Sequence, residues 1–318
     1  MSDKICWVVT DGGAGMENQC RGLAEAVALP TVVKRVRPRP PWKWLPPPLC
    51  FAALRSLGPD SDRLEPPWPD LWIASGRQSV ALTAAVRRAS RGATFTVQIQ
   101  SPGMSIANFD LVVVPRHDRL RGPNVLTTRG ALHLVTPERL AAEAKRFAPR
   151  LAHLPRPLVA VLIGGSNSCY RLTPEVVAGF ADRLATMARE TGAGLAVTTS
   201  RRTGADSEAE LRRRLEGVPA EIWDGSGDNP YFGYLGLADA VVVTCDSVSM
   251  VSEACTTGKP VYVLEMEGGN RKFRTFHAGL YGDGITRPFE GRLEQWRYAP
   301  LDDTARVAAE VRSRLRLQ

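Results

Sequence analysis

The stretch TCDSVSMVSEACTTGKPVYV, residues 244–263, decides how the second half of the chain folds. The β-branched run AVVV (240–243) before it predicts a buried strand. Thr244 and Asp246 end that strand, a short helical pattern follows, and Gly-Lys-Pro separates this helix from another apolar run. Strand, helix and strand in this order predict a βαβ unit and therefore a parallel sheet.

Strand-like runs and helical patterns alternate along the whole chain. The apolar runs stand at 5–10, 71–76, 94–100, 111–115, 158–165 and 194–200. This alternation predicts an α/β protein with two doubly wound (Rossmann-like) domains that face a cleft. We place the first domain at 1–150, before a proline-punctuated linker, and the second at 156–300. The last segment, 301–318, predicts an amphipathic helix that packs back on the first domain.

Composition limits the function classes. The 318 residues are 44% hydrophobic, and no apolar run approaches the roughly 20 residues that span a bilayer. The N-terminus lacks the layout of a signal peptide, so we predict a cytoplasmic protein. Six Cys without a C-x-x-C pair and four His without zinc spacing predict no metal site and no cofactor. The net charge of +8 suits an anionic partner, with nucleic acid ranked last because no nucleic-acid-binding motif is visible.

The segment RPRPPWKWLPPPLCFAALRSLG (37–58) has the most unusual composition. Its prolines exclude a regular element over the first half, and LCFAALRSLG (49–58) predicts one apolar helix. Trp and Lys alternate at 42–44, as is typical of membrane interfaces. Two interpretations stay open: a loop packed over the sheet edge with its Trp residues buried, or a peripheral contact with the inner face of the membrane.

In open parallel sheets, ligands bind beyond the carboxyl ends of the strands, and several polar loops of the second half lie there. The loop GGSNSCYRLTPE (164–175) suits either a phosphate held by backbone N–H groups or a plain tight turn. The loop TTSRRTG (198–204) offers guanidinium groups either to a diphosphate or to a surface ion pair. The loop DGSGDNPY (224–231) can offer backbone groups to a nucleobase. The candidate residues in these three loops are Gly164, Gly165, Ser166, Asn167, Arg201, Arg202, Asp228 and Asn229.

The helix after residue 246 is the fourth candidate. Its first N–H groups lack internal partners and its dipole favours anions, so Ser247 and Ser249 can cap the helix, contact a phosphate, or do both. Glu253 lies four residues after Ser249 on the same helical face. A carboxylate there can accept two hydrogen bonds from a vicinal diol such as ribose. The combination suggests a nucleoside diphosphate.

A family resemblance extends this interpretation. The pattern S-x-S-M-V-S-E-A-x-x-x-G-K-P-V resembles the nucleotide-sugar signature of GT-B glycosyltransferases. TDGGAGMENQCRG, QIQSPG, DLVVVPRHD, LIGGSN, TTSRRT, DNPY and TCDSVSMVSEA together resemble the mitochondrial-fission (elongated-mitochondria) family and its bacterial relatives. The resemblance implies a GT-B-like architecture and, in plant members, recruitment of a dynamin-related protein. By similarity to GT-B transferases, Glu253 would bind ribose, Ser247 and Ser249 the diphosphate, and the UDP type of nucleotide is favoured.

The same resemblance places the acceptor loop in the first domain. The stretch DGGAGMENQ (11–19) occupies the position of the glycine-rich loop, with Gly12, Gly13, Gly15, Asn18 and Gln19 as its candidate residues. Related transferases often carry a His there, whereas this chain has Met16 and Glu17. The catalytic base therefore stays open among Asp11, Glu17 and His117, the last with Asp118 beside it. His117 can equally be an ordinary loop histidine.

These observations lead to three functional hypotheses. The first is a metal-independent glycosyltransferase that moves a sugar from a nucleotide diphosphate to an acceptor, which could be lipid-linked or lie at the membrane surface. The second is a nucleotide-binding adaptor of the mitochondrial-fission type without catalysis. The third is a nucleotide-sugar epimerase on the same fold.

Overall fold

The computed structural model describes residues 4–317, which form two units. The first comprises residues 4–134 together with 302–317, and the second comprises residues 135–301. Each unit contains a six-stranded sheet in which every pair of neighbouring strands is parallel. The predicted fold class, α/β with two doubly wound sheets, is confirmed.

The first unit is a single parallel sheet covered by helices. Its strands are β1 (Cys6–Thr10), β2 (Thr31–Arg35), β3 (Leu71–Ser75), β4 (Phe95–Ile99), β5 (Leu111–Pro115) and β6 (Val125–Thr128). Its α-helices are α1 (Ala14–Val27), α2 (Arg77–Ala89) and α9 (Asp303–Leu315). The strand order is β2-β1-β3-β4-β5-β6, so the winding direction reverses between β1 and β3.

Apolar residues cover both faces of this sheet. Val8 packs in one cluster with Leu23 of α1 and Val307 of α9. Its neighbour Val9 points to the opposite face and packs in another cluster with Leu82 of α2. Successive side chains of a strand alternate between faces, so a strand covered on both sides must be apolar throughout. This explains why the run at 5–10 lacks an alternating polar pattern.

The C-terminal helix α9 belongs to the first unit. The backbone N–H groups of Arg129 and Gly130 each donate to one carboxylate oxygen of Asp303 at 2.9 Å. The next residue, Thr304, accepts a hydrogen bond from the backbone N–H of His133 at 3.1 Å. These polar contacts anchor the first turn of α9, and its apolar face then packs beside α1.

The second unit repeats the architecture. Its strands are β7 (Leu158–Ile163), β8 (Gly194–Thr199), β9 (Ala220–Ile222), β10 (Ala240–Thr244), β11 (Val261–Leu264) and β12 (Thr286–Pro288). Its α-helices are α3 (Pro137–Leu151), α4 (Pro174–Thr191), α5 (Ala205–Arg214), α6 (Tyr231–Leu237), α7 (Val248–Thr256) and α8 (Arg271–Gly282). The strand order is β12-β11-β10-β7-β8-β9. The reversal lies between β10 and β7, which makes their carboxyl ends the expected place for a ligand.

The boundary between the units lies after residue 134, which corrects the boundary predicted at residue 150. The reason is that α3 packs closely on α6 of the second unit. A Cβ on Gly236 would lie 2.5 Å from the carbonyl oxygen of Leu140, and a Cβ on Gly233 would lie 2.6 Å from the ring of Phe147. Only glycine permits this close approach of the two helices. Helix α3 therefore folds with the second unit.

The segment 37–58 contains two 3₁₀ turns, Pro47–Leu49 and Ala53–Arg55, instead of the apolar helix predicted over 49–58. The backbone N–H of Arg55 donates to the carbonyl of Ala52, three residues earlier, at 2.8 Å, and the carbonyl of Phe51 accepts from the indole N–H of Trp42 at 2.8 Å. The interpretation with buried Trp residues is also corrected, because Trp44 is 70% exposed.

Candidate functional site

Three of the predicted loops meet at the carboxyl edge of the second sheet, around Asp246. The carboxylate of this residue accepts from the backbone N–H of Gly165 at 3.1 Å and from the hydroxyl of Thr244 at 2.7 Å. It also pairs with the guanidinium of Arg202 at 3.0 Å. The side chain of Asp246 is fully buried. One carboxylate therefore joins the loop after β7, the loop after β8 and the end of β10.

This role of Asp246 was not predicted, although the residue stands in the decisive stretch of sequence. The available signal was an acidic residue directly after a fully buried strand that neighbours the reversal of the sheet. The guanidinium of Arg202 pairs with Asp246 and reaches the carbonyl of Gly165 at 3.4 Å. It remains 43% exposed, and its contact with a diphosphate stays a prediction.

Close packing requires the two glycines after β7. A Cβ on Gly164 would lie 2.1 Å from a carboxylate oxygen of Asp246. A Cβ on Gly165 would lie 2.1 Å from the carbonyl carbon of Arg202. These distances are far below van der Waals contact, so the glycines allow the two neighbouring loops to approach each other. Their contact with a phosphate stays a prediction.

The polar residues that follow the glycines close their own loop. The hydroxyl of Ser166 accepts from the backbone N–H of Leu172 at 2.9 Å. The side-chain oxygen of Asn167 accepts from the N–H groups of Cys169 and Tyr170, at 2.7 and 2.9 Å. The amide nitrogen of Asn167 donates to the carbonyl of Asp246 at 3.2 Å. Both side chains thus have protein partners, and phosphate contact by them stays a prediction.

The first turn of α7 has the capping arrangement that the sequence predicts. Ser247 is the N-cap, and its hydroxyl accepts from the backbone N–H of Met250 at 3.3 Å. Ser249 is half-buried in the same turn. A cap satisfies only one of the N–H groups at a helix start, so the remaining donors and the helix dipole still favour an anion there.

Glu253 is buried beneath Tyr231, whose hydroxyl donates to its carboxylate at 2.5 Å. Only 7% of Glu253 is exposed. Burial raises the pKa of Glu253 to about 7, and the hydrogen bond from Tyr231 opposes this rise. A ribose diol that used this carboxylate would have to share it with Tyr231, which is a partner that the sequence did not indicate. The ribose contact of Glu253 stays a prediction.

A cavity of about 560 Å³ opens beside these elements. Arg201 lines it from the loop after β8, and Met250 lines it from the first turn of α7. Tyr231 and Trp223 supply aromatic side chains, and Asn229 lies between them in the chain. Of the predicted residues, Arg201 and Asn229 therefore face the cavity. Asp228 does not line it and forms an ion pair with Arg146 of α3.

The predicted acceptor loop is mostly helix. Helix α1 begins at Ala14, so Gly15, Glu17, Asn18 and Gln19 lie on it and only 11–13 form the loop. In that loop the carboxylate of Asp11 accepts from the N–H of Gly13 at 3.1 Å, and the N–H of Gly12 donates to the hydroxyl of Thr10 at 3.2 Å. Most of the predicted loop is therefore the first part of α1.

The three candidate bases have different surroundings. Glu17 forms a bidentate ion pair with Arg35, at 3.0 and 3.1 Å, and this pairing lowers the pKa of Glu17. A lowered pKa makes Glu17 a poor proton acceptor near neutral pH. Asp11 follows β1 whereas His117 and Asp118 follow β5, three strands away in the sheet, or about 14 Å at ordinary strand spacing. Asp11 and His117 are therefore too far apart to act on the same proton, and they are alternative candidates for the catalytic base.

Known structures share the fold. The UDP-GlcNAc 2-epimerase of Methanocaldococcus jannaschii, solved in complex with UDP-GlcNAc and UDP, matches with a TM-score of 0.55 at 10% identity, over 98% of this chain and 99% of that one. The MurG protein of Acinetobacter baumannii matches with a TM-score of 0.51 at 13% identity, over 98% and 90% of the two chains. At such identity the likeness concerns the fold alone. It shows that the fold is GT-B-like.

Sequence comparison then gives the family. A model described as "Mitochondrial fission ELM1" matches residues 14–315. The Arabidopsis thaliana protein named "Mitochondrial fission protein ELM1" is 35% identical over 274 residues, which are 78% of this chain. The chain spans 64% of that protein's length. The "Uncharacterized protein RP120" of Rickettsia prowazekii is 25% identical over 291 residues, covering 78% of this chain and 80% of that protein. The chain belongs to the mitochondrial fission ELM1 family.

Proposed function

We propose that the second unit binds a nucleoside diphosphate sugar of the UDP type and that the protein transfers this sugar to an acceptor. The observation that carries the proposal is the cavity of about 560 Å³ that Arg201 and the first turn of α7 both line. A guanidinium and a helix N-terminus both favour a diphosphate. The aromatic side chains of Trp223 and Tyr231 offer surfaces on which a nucleobase can pack.

Transfer of a sugar leaves a diphosphate whose negative charge must be stabilised. In this proposal the N–H groups at the start of α7 and the guanidinium of Arg201 meet that charge. The acceptor hydroxyl loses a proton as the new glycosidic bond forms, and a general base takes this proton up. Asp11 and His117 are better candidates than Glu17, because the ion pair with Arg35 stabilises the charged form of Glu17.

The donor site predicts a thermal shift. UDP at a hundred times its dissociation constant is expected to stabilise the native protein by about 2.7 kcal/mol. For a unit of this size, that corresponds to a rise in Tm of roughly 5–10 °C. Differential scanning fluorimetry with UDP, ADP, GDP and their sugar conjugates at millimolar concentration measures it. The absence of a shift with every one of these nucleotides would refute the donor site.

Substitution of Arg201 tests whether its guanidinium contacts the diphosphate. Arg201→Ala is expected to weaken UDP binding about tenfold or more, because a charge-assisted hydrogen bond contributes about 1.5–3 kcal/mol. Arg189→Ala is the control, since Arg189 is exposed at the end of α4, which leads to the amino-terminal edge of the sheet. Calorimetric titration of both variants with UDP decides: equal affinities would show that Arg201 does not contact the diphosphate.

A non-catalytic adaptor is the second candidate, and the family assignment favours it. Asp11→Asn, Glu17→Gln and His117→Ala separate the two functions. Loss of sugar transfer in one of these variants, with UDP binding retained, supports the transferase. If the protein is an adaptor, the unaltered protein and all three variants would bind UDP without turnover. An epimerase would convert the nucleotide sugar in the absence of an acceptor.

We also propose that the segment 42–51 of the first unit contacts an anionic membrane surface. Among the described residues, no helix is both long and apolar enough to cross a bilayer. On this segment, however, Trp44, Leu49 and Phe51 are 70%, 61% and 68% exposed. The surrounding stretch 37–58 carries no acidic residue, and its four basic residues, Arg37, Arg39, Lys43 and Arg55, are all exposed. Exposed apolar side chains among basic ones are typical of interfacial anchors.

Vesicle sedimentation tests this contact. Trp44→Ala combined with Phe51→Ala is expected to reduce binding to phosphatidylglycerol vesicles at least tenfold, because both side chains would lose their burial in the interface. Binding should also fall with salt and be weak on neutral phosphatidylcholine vesicles. Val32→Ala, at an exposed apolar position of β2, is the control. If the double variant binds as the unaltered protein does, the segment is not the anchor.

A further inference from the structure

The strand β2 forms one edge of the first sheet, so half of its backbone groups face away from the other strands. The carbonyl of Pro30 and the N–H of Val36 bond to β1, each at 2.8 Å. Successive residues of a strand turn their backbone groups to opposite sides, so Thr31, Val33 and Arg35 turn theirs outward. These outward groups decide what can pair with the edge.

The chain covers one end of this edge itself. The N–H of Arg35 donates to the carboxylate of Asp62 at 2.6 Å, and the N–H of Asp62 donates to the carbonyl of Arg35 at 2.9 Å. The outward N–H and carbonyl groups of Thr31 and Val33 have no hydrogen-bond partner in the part of the chain that the structure describes. An edge that is open in this way can pair with another strand.

The side chains of β2 do not shield the open part. Val32 is 43% exposed. Lysine often protects an edge, but the ammonium of Lys34 lies 5.1 Å from the ring centroid of Trp7, over its own sheet. On the other face, a groove of about 380 Å³ follows the edge between β2 and α1, and Arg21 and Glu25 line it. Both faces therefore leave room for an added strand.

We propose that this edge pairs antiparallel with the same edge of a second copy of the chain, which joins two six-stranded sheets into one. With Val32 on the two-fold axis, Thr31 of each copy lies opposite Val33 of the other. Residues paired in this way exchange both of their N–H···O bonds, and these are the groups that β2 leaves open. The two Val32 side chains meet at the axis, where partners without hydrogen bonds come closest.

Helix α1 lies antiparallel beside β2 and extends the contact. Its Glu17, near the helix start, bonds to Arg35 at the carboxyl end of the strand at 3.0 and 3.1 Å. Four residues of helix rise about 6 Å, which corresponds to about two residues of strand. Arg21, one such step after Glu17, therefore lies level with Val33.

The charges of α1 favour a second copy as the partner. Glu25 lies one step after Arg21 and therefore level with Thr31. An axis perpendicular to the sheet keeps both α1 helices on one face and brings Glu25 of each copy level with Arg21 of the other. Both side chains are nearly half exposed, at 44% and 47%. Opposite charges thus meet twice across the axis. The helices must contribute to the contact, because a stable dimer buries about 1,200 Å² or more.

Analytical ultracentrifugation over a range of micromolar concentrations tests the charge pairs. Arg21→Glu brings like charges together at both pairs, so the dissociation constant of the dimer should rise roughly tenfold or more, and Glu25→Arg should have the same effect. An equimolar mixture of these two variants has opposite charges across the axis again. It should therefore form a heterodimer about as tightly as the unaltered protein dimerises. Arg88→Glu, the same charge change at an exposed position of α2, is the control.

Thr31→Pro tests the backbone bonds. Proline has no N–H and is tolerated on an edge strand whose N–H faces solvent, so each copy should fold while one bond of each pair is lost. Thr31→Val keeps the N–H and is the control. If Thr31→Pro does not fold, as judged by circular dichroism, the mixture of charge variants decides alone.

A dimer that Thr31→Pro and both charge variants weaken, and that the mixture restores, supports the pairing of the two edges. A protein that stays monomeric over the whole range overturns it. So does a dimer that the charge variants or a folded Thr31→Pro leave unchanged, or a mixture that does not recover.

Discussion

Asp246→Ala is expected to destabilise the second unit by about 3–5 kcal/mol, which lowers Tm by roughly 10 °C or more. The alanine removes the acceptor of the N–H of Gly165 and of the hydroxyl of Thr244, and it leaves the guanidinium of Arg202 without its carboxylate. The N–H of Gly165 and the hydroxyl of Thr244 are buried, and each buried donor that loses its acceptor costs about 1–3 kcal/mol, whereas the half-exposed guanidinium of Arg202 regains water.

Urea unfolding followed by circular dichroism measures the effect of Asp246→Ala. Asp246→Asn keeps the shape and one acceptor oxygen, so its loss should be smaller than that of the alanine variant. Asp182→Ala is the control, because Asp182 is 56% exposed and its ion pair with Arg214 lies at the surface, where such pairs contribute up to about 1 kcal/mol. If Asp246→Ala costs no more than Asp182→Ala, the buried carboxylate does not hold the three loops together.

The fold could be predicted from sequence because parallel strands buried on both faces leave a strong signal. The runs that form β1, β3, β5, β7 and β10 are almost continuously apolar, and β1, β3 and β7 lead directly into aspartate or glycine. The boundary at residue 134 could not be predicted in this way. It depends on the fit of α3 against Gly233 and Gly236, which are far away in the sequence.

The sequence predicts which loops form the candidate site better than it predicts what their side chains contact. The strand ends show which loops share an edge, and three of the four loops do meet around Asp246. Sequence does not distinguish Arg201 from Arg202, because their difference is only whether the guanidinium reaches that buried carboxylate. Nor does it show that Tyr231 covers Glu253, since the two are 22 residues apart and meet only once α6 and α7 have packed.

Glu253→Gln is expected to make the protein more stable above pH 7, by up to about 3 kcal/mol at pH 8. The folded protein raises the pKa of Glu253 from 4.5 to about 7, because burial disfavours the carboxylate. A raised pKa of an acid stabilises the fold fully below pH 4.5, and that contribution is lost as the pH rises through about 7. One pKa unit corresponds to about 1.4 kcal/mol, which gives the upper limit. Glutamine has no proton to lose, so its variant should lack this pH dependence.

Unfolding free energies at pH 5, 6, 7 and 8 measure the difference in stability between Glu253→Gln and the unaltered protein, with Glu190→Gln, exposed on α4, as the control.

The proton of Glu253 also links stability to ligand binding. A ribose diol donates two hydrogen bonds best to an ionised carboxylate, so UDP should bind more tightly at pH 8 than at pH 6, and Glu253→Gln should remove this gain. A buried acid that resists ionisation and destabilises the empty protein at pH 8 would then be an acceptor held ready for the ligand. Identical pH profiles of stability in Glu253→Gln and the unaltered protein would contradict the raised pKa and, with it, this role.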